Sequence, residues 1–188
     1  MKSRTTLYIW LGVLVILIAW VWTGYNGLIT AQMGVKNAWG QVETDYQRRM
    51  DLIPNIVSTV KGSANFEKST LLAVTEARTK WMSAGSINDK VTAAQNFDSS
   101  LSRLLVTVEA YPQLQSTQSF RDLTTELEGT ENRISVARRD FNDAVGSYNV
   151  RVVRFPGVIL AHLFGFASQN FFQADQGAAK VPTVNFGN

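Results

Sequence analysis

The feature that most constrains this chain is an uncharged stretch near its amino terminus, from Thr5 through Val35. Its apolar part, Leu7 to Trp22, reads LYIWLGVLVILIAWVW, and two flanking residues on each side extend it to 20 residues. A helix of that length is about 30 Å long, which matches the hydrocarbon core of a bilayer. The stretch therefore predicts a membrane-spanning helix at the start of a 188-residue chain.

The side chains of this stretch fit a membrane anchor better than its two rivals. A buried core helix seldom has so long an uncharged stretch, and a cleaved signal peptide should end in a small-x-small site. Here the stretch ends in Ala19-Trp20-Val21-Trp22, and tryptophan favours the membrane–water interface. We expect six residues to contact lipid: Leu7, Trp10, Leu14, Leu17, Trp20 and Trp22.

The charges that flank the anchor predict its orientation. Lys2 and Arg4 precede it, whereas the first basic residue behind it is Lys36. Because the more basic flank of a spanning helix stays in the cytoplasm, we expect the body to lie outside the cytoplasm. Lys2 and Arg4 are two of the 18 basic residues, so the body nearly balances its 15 acidic residues. A near-neutral body argues against binding to nucleic acid.

Apolar residues behind the anchor recur every three or four positions, as on one face of an α-helix. They predict an all-α body with about four long helices in an antiparallel bundle. We expect the first helix to run from Tyr25 to about Lys61, where Pro54 causes either a kink near Met50 to Leu52 or a break into two helices. The second should run from Asn65, as its cap, to about Met82, with Glu67 in its first turn.

The third and fourth helices have clear boundary and periodicity signals. Ser86-Ile87-Asn88-Asp89 resembles a capping box, and Tyr111-Pro112 should end the third helix. The fourth helix keeps its apolar rhythm from Phe120 to Val152, and we interpret its charged residues as a solvated face. They are Arg121, Asp122, Glu126, Glu128, Glu131, Arg133, Arg138, Arg139, Asp140 and Asp143.

Two adjacent arginines, Arg48 and Arg49, allow two interpretations. They could form a site for an anion or a lipid headgroup. They could instead pair with Asp45 on the surface of the same helix, at the spacing of neighbouring turns. We favour surface pairing.

Several sequence blocks resemble the LemA family in order and spacing. They are Tyr25-Asn26-Gly27-Leu28, Val35-Lys36-Asn37-Ala38-Trp39, Asp51-Leu52-Ile53-Pro54-Asn55, Tyr111-Pro112-Gln113-Leu114, Leu127-Glu128-Gly129-Thr130-Glu131-Asn132-Arg133-Ile134, Val145-Gly146-Ser147-Tyr148-Asn149 and Phe155-Pro156-Gly157. Phe66 and Phe141 depart mildly from the family pattern, where His and Tyr are common. The resemblance implies a bacterial single-pass membrane protein with an antiparallel helical bundle, and it implies no particular reaction.

The residue types that catalysis needs are scarce in this chain. It has no Cys, and its single His, His162, lies in an apolar segment where we interpret it as packed or interfacial. One His without Cys does not make a zinc site, and no glycine pattern matches a phosphate-binding loop. We therefore expect no enzyme activity, no catalytic residue, no cofactor and no metal.

The end of the chain is unusually aromatic. Half of its ten Phe residues lie within 18 positions, and we expect them to form a self-association surface: Phe155, Phe164, Phe166, Phe171 and Phe172. This tail could instead pack on its own bundle or lie on a bilayer. We accordingly divide the chain into an anchor at 1–24, a bundle at 25–155 and a tail at 156–188.

These observations favour a membrane-anchored helical scaffold of the bacterial envelope, with its body on the periplasmic side of the inner membrane. Its expected partners are membrane lipid, further copies of the same chain and envelope proteins. The alternative is a lipid-binding or membrane-remodelling protein that uses its aromatic tail.

Overall fold

The computed structural model describes residues 2–61 and 66–173, with side chains from Thr6 onward. These residues form six helices and no strand. The helices are α1 (Lys2–Lys61), α2 (Lys68–Ser83), α3 (Ile87–Val108), α4 (Pro112–Gln115), α5 (Gln118–Val153) and α6 (Gly157–Phe164). Four of them are long, which confirms the predicted all-α body.

Helix α1 contains both the apolar anchor and the first helix of the bundle. Its 60 residues make it about 90 Å long. Residues 6–19 of the anchor are exposed, whereas one side of the helix is buried from Leu28 to Val60. Among the described residues, α1 is the one helix long and apolar enough to cross a membrane.

The break considered at Pro54 does not occur, since α1 continues to Lys61. Ile53 and Ile56 lie on either side of Pro54 and are almost completely buried. A proline within a helix removes one backbone hydrogen bond, and tertiary packing on both sides compensates for that loss.

Helices α1 and α5 run antiparallel along most of the bundle. Three contacts define the register: Gly27 with Arg151, Trp39 with Phe141, and Arg49 with Thr130. Residue numbers rise along one helix as they fall along the other. This pair is the long axis of the fold, and α2 and α3 pack together as a shorter second pair.

The helix boundaries confirm some sequence signals and correct others. Ser86 caps α3, because its Oγ accepts from the backbone nitrogen of Asp89 at 3.1 Å. The predicted cap at Asn65 lies outside the described residues. Glu67 was expected in the first turn of α2 but is itself the N-cap residue. Pro112 occupies the first turn of the short helix α4, where its missing N–H costs nothing.

The predicted apolar stripe of the fourth helix agrees with the observed core. The apolar stripe of α5 is buried at Phe120, Leu127, Ile134, Ala137, Phe141, Val145, Tyr148 and Val152. Sequence analysis did not anticipate α4 or α6. Gly165, with φ of 75°, ends α6 in the left-handed conformation that glycine tolerates best.

Candidate functional site

A network of charged and polar side chains crosses the bundle between α1, α3 and α5. Arg49 is its most buried member, with 3% of its side chain exposed. It donates to Asp98 Oδ1 at 3.1 Å, to Thr130 Oγ1 at 3.0 Å and to Glu131. We refer to the four residues Arg49, Asp98, Glu131 and Arg138 as the arginine network. The two cations and two carboxylates balance, which lowers the cost of burying them.

Asp98 is the centre of this network. Arg49 donates to one carboxylate oxygen, and Arg138 donates to the other. Tyr46 also donates its hydroxyl to Asp98 Oδ2 at 2.7 Å. Burial raises the pKa of Tyr46 to about 12, although the neighbouring Arg138 opposes part of that rise. Tyr46 is therefore a neutral donor at physiological pH, and Asp98 has donors on both oxygens.

The network corrects two interpretations made from the sequence. Arg49 does not pair with Asp45 on the helix surface, and instead it reaches α3 and α5. Asp45 is buried and accepts from Gln41 Nε2 at 3.0 Å. Arg138 was assigned to the solvated face of α5, but only 17% of its side chain is exposed.

A cluster of aromatic rings lies beside the network and includes one residue of the C-terminal tail. Phe172 is 6% exposed and stacks on Tyr46 and Trp39, with centroids 6.2 and 6.4 Å apart. Phe141 contacts its edge at 5.6 Å. The Arg138 guanidinium lies 4.9 Å from the centre of the Phe172 ring, within the range of a cation–π interaction. The tail thus completes the core next to the arginine network.

Two asparagines of α5 hold the backbone of this tail. Asn142 donates to the Phe172 carbonyl oxygen at 3.0 Å and accepts from the Phe172 backbone N–H at 2.9 Å. Asn149 makes the same pair of hydrogen bonds with Gln169, both at 2.9 Å. Each asparagine side chain thus makes the two hydrogen bonds that a neighbouring β-strand would make with an extended peptide. Tyr148, whose pKa burial raises, donates to the Ala167 carbonyl oxygen.

The five predicted self-association residues lie in different environments. Phe172 is in the core of its own chain, and Phe166 is half-buried against Tyr25 at 5.9 Å between ring centres. Phe155, Phe164 and Phe171 are exposed. The structure therefore brings together Phe164 and Phe166 on Tyr25, and it places Phe172 apart from them in the bundle.

The predicted lipid-contacting residues all lie on the N-terminal part of α1. Five are exposed: Leu7, Trp10, Leu14, Leu17 and Trp22. Trp20 is half-buried and packs against the core cluster. Its position shows that the bundle begins to contact α1 before the predicted anchor ends.

The arrangement supports structural chemistry rather than proton transfer. The carboxylate oxygens of Asp98 are occupied by three donors, from Tyr46, Arg49 and Arg138. His162 is exposed on α6. Helix α6 contacts α1 at Gly24, which lies 25 residues before Arg49 of the network. Within residues 2–61 and 66–173, no cluster of three potential ligands could hold a metal ion.

The arginine network was not predicted from the sequence, although the helical spacing of its residues is visible there. Arg49 lies three residues after Tyr46 and four before Ile53, on the buried side of α1. Asp98 and Arg138 occupy equivalent positions on α3 and α5, four residues after Ala94 and Ile134. Charged residues in register with an apolar stripe are the signal for a buried ionic contact.

Comparison with known proteins connects this geometry to named relatives. Magnetosome protein MamQ 2 of Paramagnetospirillum magneticum is 26% identical over 186 aligned residues, which cover 85% of this chain and 68% of the relative. Magnetosome protein MamQ of Magnetospirillum gryphiswaldense is 25% identical with the same coverage. Protein LemA of Metamycoplasma hominis is 24% identical over 152 residues, covering 80% of this chain and 69% of the relative.

The family comparison agrees with the resemblance found in the sequence. The model of the LemA family matches residues 38–186, which include the arginine network and the docked tail. Ahead of this match, the N-terminal part of α1 is long and apolar enough to cross a membrane. The chain therefore belongs to the LemA family.

Proposed function

We propose that this chain is a non-catalytic, self-associating scaffold of the bacterial inner membrane, with its bundle on the periplasmic side. The observation that supports this proposal is the continuity of α1 from Lys2 to Lys61. One helix serves both as the anchor and as the longest core element, so the bundle is held upright close to the membrane. In this proposal, residue 24 separates the part of α1 in the membrane from the part in the bundle. Part of the tail from residue 156 packs in the bundle.

The interior of the bundle supports a structural role. Its central polar groups bond to one another and to the tail, and its aromatic rings fill the space around them. A rigid body of this kind offers its outer faces to partners. Self-association fits the anchor, because copies confined to one membrane meet at a high effective concentration.

Phe171 is the tail residue best placed for contact between copies. It is exposed, although its neighbour Phe172 is buried, and its ring lies against Gly146 on the side of α5. Exposed aromatic side chains on a well-held backbone are frequent anchors of protein interfaces. We therefore assign the contact between copies to this flank of the bundle, with unidentified envelope proteins as further partners.

Mass photometry of detergent-extracted full-length protein tests self-association. We expect an oligomer for the natural sequence and a shift to smaller species for Phe171→Ser. Leu72→Ser is the matched control, because Leu72 is also an exposed apolar residue but lies on α2. Truncation after Arg154 should weaken assembly too, but it also removes Phe172 from the core. A natural protein that stays monomeric under gentle extraction contradicts self-association.

A second candidate function is lipid binding or membrane remodelling through the tail. The observation that favours it is the position of α6, which packs on α1 beside the anchor. Contact of α6 with lipid is compatible with both functions, whereas remodelling of the membrane belongs to the second alone.

A further inference from the structure

Exposed apolar side chains are unevenly distributed over the bundle. On α1 beyond Tyr25, on α2, on α3 and on most of α5 they occur singly, at Met33, Leu72, Met82, Val106 and Val136. Isolated residues of this kind are normal on a protein surface. The end of α5 and the whole of α6 differ, since six such residues occur within 15 positions: Val150, Val153, Phe155, Ile159, Leu163 and Phe164. A concentration of this size marks an interaction surface.

This surface lies at the level where α1 leaves the predicted membrane span. The side chain of Leu160 occupies the space that a side chain at position 24 would need, so Gly24 allows α6 to approach α1 closely. The Phe164 ring meets the Tyr25 ring edge-on, with centroids 4.8 Å apart. Phe164 also borders an apolar groove of about 500 Å³ whose other wall is formed by residues 17–26 of α1.

The groove makes the exposed side of α6 continuous with the anchor. Ile18 and Trp22 line it and are themselves exposed to the surroundings of the span. Ile18 lies about 9 Å below Gly24 along the helix axis. Phe164 lines the same groove as Ile18. An interfacial helix typically buries its apolar side about 5–10 Å into a bilayer.

The charges near this surface also suit a membrane. Residues 5–35 and 144–174 contain no acidic side chain, and their basic residues are Arg151 and Arg154. Arg151 donates to the Gly27 carbonyl oxygen at 3.2 Å. Gly27 lies about 5 Å beyond Gly24 along α1. Arginine side chains at the depth of lipid headgroups attract phosphates, and a surface without carboxylates does not repel them.

We propose that α6 is an interfacial membrane helix, seated in the leaflet of the same bilayer that α1 enters near Gly24. Ile159, Leu163 and Phe164 contact acyl chains, Phe155 enters the interface, and Arg154 binds lipid phosphate. The inference rests on the membrane anchor of the proposed function and is independent of self-association. It assigns to α6 a second attachment to the membrane, next to the span.

Site-specific quenching in nanodiscs that hold a single copy of the full-length protein tests this proposal. Because the chain has no Cys, Leu163→Cys provides one attachment point for an environment-sensitive fluorophore. Leu163 is 69% exposed, so the substitution leaves the core intact. Val136→Cys is the matched control, because it is an exposed apolar position on α5 beyond the level of Trp39.

We expect lipids with a nitroxide near the top of the acyl chain to quench the Leu163 label several-fold more than the Val136 label. A Phe155 label provides a second reading at the same level of the bundle. Equal quenching at Leu163 and Val136 overturns the proposal. A Leu163 label that lipid does not quench in single-copy discs, and that becomes protected from an aqueous quencher in discs with two copies, also overturns it, because a second chain then covers α6. Since single-copy discs exclude oligomers, failed self-association leaves the expected result unchanged.

Discussion

Arg138 and Arg139 are neighbours in the sequence with opposite environments. Arg138 lies on the buried side of α5, where it bonds to Asp98 and contacts the rings of Tyr46 and Phe172. Arg139 has 69% of its side chain exposed, with Asp140 as a distant partner at 3.9 Å. Successive residues of a helix are rotated by about 100°, so Arg138 faces the core while Arg139 faces solvent.

This pair provides a matched test of the arginine network. We expect Arg138→Ala to lower the free energy of unfolding by about 1.5–3 kcal/mol, the range for hydrogen bonds to charged groups. Arg139→Ala should change it by less than about 0.5 kcal/mol. Chemical denaturation of the full-length protein in detergent measures both values. Equal losses for the two variants would mean that the network contributes nothing to stability.

The pKa of Tyr46 predicts a stability loss at alkaline pH. Burial raises the folded-state pKa to about 12 from an ordinary value of 10.0, so folding favours the neutral phenol. This contribution is complete below the unfolded pKa, and it is lost as the pH rises through the folded value. The free energy of unfolding should therefore fall between pH 10 and about 12.

Tyr46→Phe is the control for that titration, because it keeps the ring and removes the ionising hydroxyl. The variant should be less stable at neutral pH, since Asp98 loses a donor. It should lose less additional stability across the alkaline range than the natural protein. Parallel declines in the two proteins would assign the effect to other groups, such as lysines.

Several individual residues were predictable and several were not, for a common reason. Periodicity identified Phe141 and Val145 because apolar residues have one preferred environment. An arginine such as Arg49 or Arg138 has two favourable environments, which are solvent and a buried ion pair. The partner of both, Asp98, lies about 40 residues or more away in the sequence. No local pattern reveals which carboxylate a given arginine will reach after folding.

The docking of the tail depends on equal residue spacing in a helix and in an extended segment. Asn142 and Asn149 are seven residues apart on α5, or about 10.5 Å along a helix. The residues they hold, Phe172 and Gln169, are three apart in an extended segment, or about 10 Å. The equal lengths allow two asparagine side chains to hold the peptide by four hydrogen bonds.

We expect the double variant Asn142→Ala/Asn149→Ala to release this segment from α5. Net contributions of about 0.5–1.5 kcal/mol per hydrogen bond predict a substantial local loss. Hydrogen exchange of the Gln169 and Phe172 amides should accelerate, while exchange in α3 stays unchanged. Asn132→Ala is the control, because Asn132 is exposed on the same helix. Unaltered exchange at both amides would show that Phe172 alone holds the tail.

Long helices were predicted well because each has many residues that repeat the same signal. The fourth predicted helix, from Phe120 to Val152, corresponds to α5 at Gln118–Val153. Helices α4 and α6 have only four and eight residues, too few for a repeat to be recognised. The docking of residues 166–173 was one of three alternatives, and its selection required the positions of Asn142 and Asn149 in space.

The position of the whole bundle relative to the membrane has a direct test. Gly85 lies in the loop between α2 and α3, with open space around it. We expect Gly85→Cys to react with an impermeant thiol reagent on intact cells whose outer membrane has been permeabilised. Ser3→Cys precedes the span and should react only after lysis. The reverse labelling pattern would place the bundle in the cytoplasm.

Because α1 is uninterrupted, a change in the tilt of its N-terminal part also tilts the bundle. About 55 Å of this helix extends beyond Gly24, from the end of the span to Lys61. Spanning helices adapt to bilayer thickness by tilting, and a change of about 10° is well within their range. With no hinge between span and bundle, that rotation displaces the far end sideways by about 10 Å. If α1 spans the bilayer, we expect local thinning of the lipid to move the opposite end of the protein.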